Sequence, residues 1–111
     1  MSSTKVEYKN RIEWYNEKGE LHREDGPAIE YHNGTKFWYL NGKRHRTDGP
    51  AVEWSDGYKA WYLNGKRHRT DGPAIEWPGG TKAWYLNGNF YSLKQWEKEV
   101  MRIKLKRLSE L

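Results

Sequence analysis

The fourteen residues from Trp38 to Ala51, Trp-Tyr-Leu-Asn-Gly-Lys-Arg-His-Arg-Thr-Asp-Gly-Pro-Ala, recur without a change from Trp61 to Ala74. Trp84-Tyr85-Leu86-Asn87-Gly88 opens a further copy and breaks off, and Trp14-Tyr15 opens an earlier one ending in His22-Arg23-Glu24-Asp25-Gly26-Pro27-Ala28. The period is 23 residues between Trp38, Trp61 and Trp84, and 24 from Trp14 to Trp38, where Glu17-Lys18 lengthens one turn. A unit this short cannot bury a core alone, so the copies must stack on one another.

A second alignment fixes the unit. Val6-Glu7-Tyr8, Ile29-Glu30-Tyr31, Val52-Glu53-Trp54 and Ile75-Glu76-Trp77 each precede a short turn and then a Trp-Tyr pair. The turns Lys9-Asn10, His32-Asn33-Gly34, Ser55-Asp56-Gly57 and Pro78-Gly79-Gly80 carry hairpin signals between β-branched and aromatic runs. We therefore expect four hairpins, about eight short strands, joined by three copies of His-Arg-x-Asp-Gly-Pro-Ala. Across residues 6–91 the pattern resembles the MORN-like repeat variants of bacteriophage and giant-virus proteins. That resemblance implies a mainly β fold: an elongated, single-layer antiparallel sheet, serving binding rather than catalysis.

Alternation along the strands puts Trp38 with Leu40, Trp61 with Leu63 and Trp84 with Leu86 on one face. Val52 with Trp54 and Ile75 with Trp77 are expected to join them, making this the packed side. The opposite face is expected to carry Tyr39, Tyr62 and Tyr85 with Phe37, Ala60, Ala83, Glu30, Glu53 and Glu76. Equivalent tyrosines then stand two strands, about 10 Å, apart.

Ser92 with Gln95 makes a capping box, and Leu93, Trp96, Val100, Ile103 and Leu111 form an apolar stripe widened by Met101, Leu105 and Leu108. The prediction is one domain: repeats over 1–91, and over 92–111 an amphipathic basic helix laid on the Trp/Leu face as a cap. Such a stripe needs covering, because only 35% of the 111 residues are hydrophobic and the core leans on seven Trp and eight Tyr. Of the net charge of +5, residues 92–111 hold +3, with Lys94, Lys98, Arg102 and Lys106 on the outer helix surface.

There are no cysteines, which excludes disulfides and thiolate metal sites. The Met1-Ser2-Ser3-Thr4 start is not followed by an apolar run, and no stretch approaches the ~20 apolar residues of a membrane span. We expect a cytoplasmic protein with no membrane partner, in the host cytoplasm if viral. His22, His45 and His68 recur at one repeat position, about a hairpin apart, so neither they nor His32 are expected to converge on a metal. No cofactor is expected.

His45 with Asp48, and His68 with Asp71, suggest proton relays, but a turn must be remade in every repeat whereas an active site is seldom copied three times. The motif is therefore read as a turn, with Gly49 and Gly72 at angles that a Cβ disfavours and the chain as no enzyme. Two Lys-Arg-His-Arg tetrads beside repeated rings combine cations for an anion with surfaces for stacking; the competing reading is a solvated edge that resists aggregation. The candidate binding residues are Tyr39, Tyr62, Tyr85, Lys43, Arg44, His45, Lys66, Arg67 and His68. A host protein is the first expected partner, masked or inhibited by a viral chain. Sequestration of a phosphate-bearing nucleotide or nucleic acid is the alternative, and self-association stays open.

Overall fold

A computed structural model describes residues 3–111; Met1 and Ser2, with the start of the 1–91 unit and of the leader-free amino terminus expected there, lie outside the described residues. The strands are β1 (Thr4–Glu7), β2 (Arg11–Tyr15), β3 (Ile29–Tyr31), β4 (Lys36–Phe37), β5 (Tyr39–Leu40), β6 (Lys43–Arg44), β7 (Val52–Glu53), β8 (Lys59–Ala60), β9 (Tyr62–Leu63), β10 (Lys66–Arg67), β11 (Ile75–Glu76), β12 (Lys82–Leu86) and β13 (Asn89–Tyr91). One helix, α1 (Leu93–Ser109), follows. Nine strands form an antiparallel sheet in the order β1-β2-β3-β4-β7-β8-β11-β12-β13, and β5-β6 and β9-β10 are separate two-stranded ribbons. The molecule is elongated and thin, 46 × 37 × 18 Å.

Each repeat thus folds back twice where the sequence reading expected one hairpin. The second reversal is at Asn41-Gly42 and Asn64-Gly65, and at Asn87-Gly88 between β12 and β13. In each pair Asn (φ about 50°) and Gly (φ about 80°) are both left-handed, as a two-residue hairpin with right-twisted strands requires. The switch of partner happens at tryptophan. Trp38 N–H donates to the Ala51 carbonyl in the main sheet, while the Trp38 carbonyl accepts from His45 N–H in the ribbon. Trp61 does the same between Ala74 and His68. Successive ribbons are stitched together, Gly65 N–H donating to the Arg44 carbonyl and Arg46 N–H to that of Tyr62.

The packed face is the tyrosine side, which corrects the face assignment. Register decides it: Val52 stands opposite both Phe37 and Ala60, and Ile75 opposite Ala60 and Ala83. Residues directly paired across antiparallel strands share a face. Val52, Ile75, Ala60, Ala83 and Tyr62, with Ala51 beside Val52, form the buried cluster, and Phe37, Trp38, Tyr58 and Tyr85 pack against it. Glu53 stands opposite Lys36 and Lys59 and therefore lies on the tryptophan side.

Ser92 caps α1, its Oγ accepting from Gln95 N–H at 3.3 Å. Trp96 Nε1–H donates to the Arg69 carbonyl (3.0 Å), and Val100 is buried, closing the last repeat on its Trp/Leu side. The apolar stripe is not covered across its full width: Leu93, Met101, Leu105, Leu108 and Leu111 remain exposed. A straight helix resting on the end of a sheet only a few residues wide touches it along one narrow line. No helix among the described residues is long and apolar enough to cross a membrane.

Candidate functional site

The repeated motif has to be accounted for first, because its structural duties limit what remains for binding. In each copy the arginine after the histidine lies over a tryptophan ring: Arg23, Arg46 and Arg69 have their guanidinium carbons 4.2, 3.8 and 3.7 Å from the ring centroids of Trp14, Trp38 and Trp61. Arg46 Nε donates to Asp48 at 2.9 Å, and its Nη1 donates to the Pro50 carbonyl (3.0 Å) and to Glu53 (2.8 Å). Arg69 repeats this with Asp71, Pro73 and Glu76. These pairs hold the Asp48 carboxyl below its ordinary range, chiefly through the Arg46 hydrogen bond.

Gly49 and Gly72 are absent from the left-handed residues, contrary to expectation. Their lack of a side chain answers a close approach instead. A Cβ there would stand 2.9 Å from Arg46 Cζ and 2.7 Å from Arg69 Cζ, so each guanidinium is sandwiched between a Trp ring and a glycine.

The histidines are brackets between repeats. His22, His45 and His68 accept at Nδ1 from the backbone N–H of Asn41, Asn64 and Asn87, at 2.9, 3.0 and 3.0 Å. Each bond spans one repeat and holds the next left-handed Asn in place. Among the described residues no group of His, Cys, Asp and Glu is arranged to hold a metal ion.

His68 is also the pH-sensitive member of the three. Burial, and then the Arg107 cation, hold its pKa below the ordinary 6.5. Below about pH 6.5 the unfolded chain takes up a proton that the folded chain excludes, so stability falls with falling pH until the folded-state pKa is passed, then levels off. Urea midpoints from pH 7.5 to 5 are expected to decline less for His68→Gln than for the parent chain. Equal declines would remove His68 from the acid response.

The predicted basic edge is divided by strand alternation. The His45 and His68 rings line shallow hollows on the tryptophan side, one with Trp38 and Leu40 and one with Trp61 and Leu63. Lys43 and Lys66 lie exposed, with their stems across Gly65 and Gly88. Arg44 and Arg67 point to the other side, where a hollow of about 450 Å³ is walled by Phe37, Trp54, Tyr58, Tyr62 and Trp77 over Val52, with the Asp56 carboxylate also in its lining. Arg44 Cζ lies 5.4 Å from the Tyr62 centroid; Arg67 Cζ lies 5.9 Å from that of Tyr62 and 5.4 Å from that of Tyr85. Arginine and tyrosine therefore alternate along the ribbons.

The structure thus brings Tyr62, Arg44 and Arg67 into one hollow, with Tyr85 next to Arg67. Tyr39 is paired with Arg44 across its ribbon but does not line the hollow, and Tyr62 belongs to the core. Sequence reasoning missed Trp54, Trp77, Tyr58 and Phe37 as walls. The available signal was that Tyr58 and Phe37 break the repeat: their equivalents are Thr35 and Thr81, and Ala60 and Ala83. Edge-on contacts brace the walls, Phe37 with Trp54 and Tyr58 with Trp77, both at 5.9 Å. Trp54 and Trp77 nevertheless stay 50% and 40% exposed, so their rings remain open to a ligand.

Among the described residues, the buried side-chain nitrogens without a hydrogen-bond partner are Arg44 Nε and Arg67 Nε. Burial works to lower both pKa values, but neighbouring tyrosine oxygens outweigh it and the net shift is upward, so both guanidinium groups stay charged. Two half-buried cations beside exposed aromatic rings are equipped to hold an anion that carries a ring.

No protein-family model matches the chain, and comparison with curated proteins and with solved structures yields no match.

Proposed function

We propose that this chain is a non-catalytic binding protein, a MORN-like hairpin platform whose working surface is the aromatic–arginine hollow on the tyrosine side. The placing of Arg44 and Arg67 together in one hollow walled by aromatic rings carries this reading. Arg46 and Arg69 support the contrast, since their Nε and Nη1 donors are already engaged within the motif.

Of the two expected partner classes, a concave shape with cations inside favours a phosphate-bearing ligand, sequestered in the cytoplasm of a host. Masking of a host protein, as the resemblance to phage chains suggests, is the second reading. It is favoured by the exposed rings of Trp54, Trp77 and Phe90, which suit a protein surface.

The test is a double variant, Arg44→Met with Arg67→Met. Its stability is expected to stay within about 1 kcal/mol of the parent, because these arginines make few bonds that folding needs. Its thermal shift with a panel of phosphate-bearing compounds is expected to vanish, where the parent gains several degrees. A variant that unfolds, or that keeps the parent's shifts, would overturn the assignment of the hollow.

A further inference from the structure

We infer that the hollow is a single discrete site for one phosphate monoester attached to a flat ring, a mononucleotide in chemical class, and not a segment of a track for a polymer. The inference rests on the proposed binding role of the hollow and narrows it.

The first argument is symmetry. The two hollows on the tryptophan side are copies of one another, as features made by the repeat must be. The aromatic–arginine hollow coincides with places where the repeat is broken. The positions equivalent to Arg44 and Arg67 are Leu21 before them and Phe90 after them. The cationic stretch therefore ends after two members, about 10 Å of sheet. A strand of nucleic acid needs cations along its whole path, and this ladder offers them over one repeat only.

The second argument is charge. Arg44 and Arg67 both line the hollow against a single carboxylate, Asp56, so its lining is net positive and favours an anion. A terminal phosphate monoester carries about two negative charges at neutral pH and a phosphodiester in a strand only one, so the monoester gains more from such a lining.

The third argument is shape. Trp54 and Trp77 stand one repeat apart with Tyr58 and Phe37 bracing them, and the residue facing Val52 between them is Ala60, where the preceding repeat has Phe37. The missing phenyl ring leaves the space. At about 450 Å³ the hollow falls in the range of small-ligand sites.

The test uses the full chain, with tryptophan fluorescence and titration calorimetry as readouts. The probes are the four ribonucleoside 5′-monophosphates, their nucleosides, inorganic phosphate and a 20-mer of thymidylate. At least one monophosphate is expected to bind at one per chain and to quench tryptophan emission, with its nucleoside and inorganic phosphate each at least about tenfold weaker. Trp54→Ala, which removes a half-exposed ring, is expected to weaken the nucleotide about tenfold and leave inorganic phosphate nearly unchanged. Arg44→Met with Arg67→Met is expected to abolish both.

If the 20-mer binds with a salt slope of more than two phosphates, loses binding in the arginine variant, and no monophosphate binds, the discrete site is wrong and the binding role of the hollow stands. Inorganic phosphate binding as tightly as every nucleotide would remove the ring from the proposal. If no probe binds the parent chain at millimolar concentration, the inference and the ligand reading behind it both fail.

Discussion

Gly72→Val is expected to destabilise the chain by about 2–4 kcal/mol, the range of substitutions that disrupt a buried polar network. The new Cβ would stand 2.7 Å from Arg69 Cζ, far inside contact distance. A free arginine would swing away at little cost, but this one is pinned. It lies 3.7 Å from the Trp61 centroid and donates to Asp71, the Pro73 carbonyl and Glu76. Moving it breaks these bonds together and uncovers the ring. Backbone strain plays no part, since Gly72 is not left-handed. A double-mutant cycle separates the two explanations. In an Arg69→Ala background the valine is expected to cost less than about 1 kcal/mol, as its obstacle is gone. The same cost in both backgrounds, measured by urea denaturation, would show that the glycine serves something other than the arginine.

Removing residues 93–111 is expected to lower Tm by roughly 15 °C. The deletion takes away the burial of Val100, the partial burial of Trp96 and the hydrogen bond from Trp96 to the Arg69 carbonyl. It also uncovers the last repeat, where Leu86 is now 3% exposed. Together these are worth about 3 kcal/mol, and in a domain this size each kcal/mol moves Tm by about 4–8 °C. Trp96→Ala alone is expected to reproduce about half of the loss. Because Met101, Leu105 and Leu108 are exposed in the intact chain, the same helix also presents an apolar stripe to solvent. Their simultaneous replacement by Gln is expected to leave Tm nearly unchanged, which a helix fully packed along its stripe would not allow. An unchanged Tm after deletion of the helix would show that the repeats close themselves.

The identical strings Trp38–Ala51 and Trp61–Ala74 made the tandem architecture legible, because identical chemistry at a fixed period admits only a stack of equivalent units. The helix start at Ser92 was legible for a local reason as well: a cap is satisfied within three residues. The first turns of the repeats were readable from their glycines. The second reversal at Asn41-Gly42 was equally visible in the residues, but a Trp-Tyr-Leu run looks like one strand until its tryptophan is seen to divide its bonds between two sheets.

What the sequence could not decide was register. Alternation states which residues of a strand share a face, but not which face of the neighbouring strand they meet, and a slip of one residue exchanges the two. Only the pairing of Val52 with Phe37 and Ala60 placed the core on the tyrosine side and turned Arg44 and Arg67 toward Trp54 and Trp77. The same applies to the motif residues. Their spacing named the turn, but the stacking of Arg46 on Trp38 and the reach of His45 to Asn64 cross between strands and between repeats. The order of residues determined the unit, its period and its count. Contacts between units, which no local pattern encodes, decided which arginines bond within the motif and which two line the aromatic hollow.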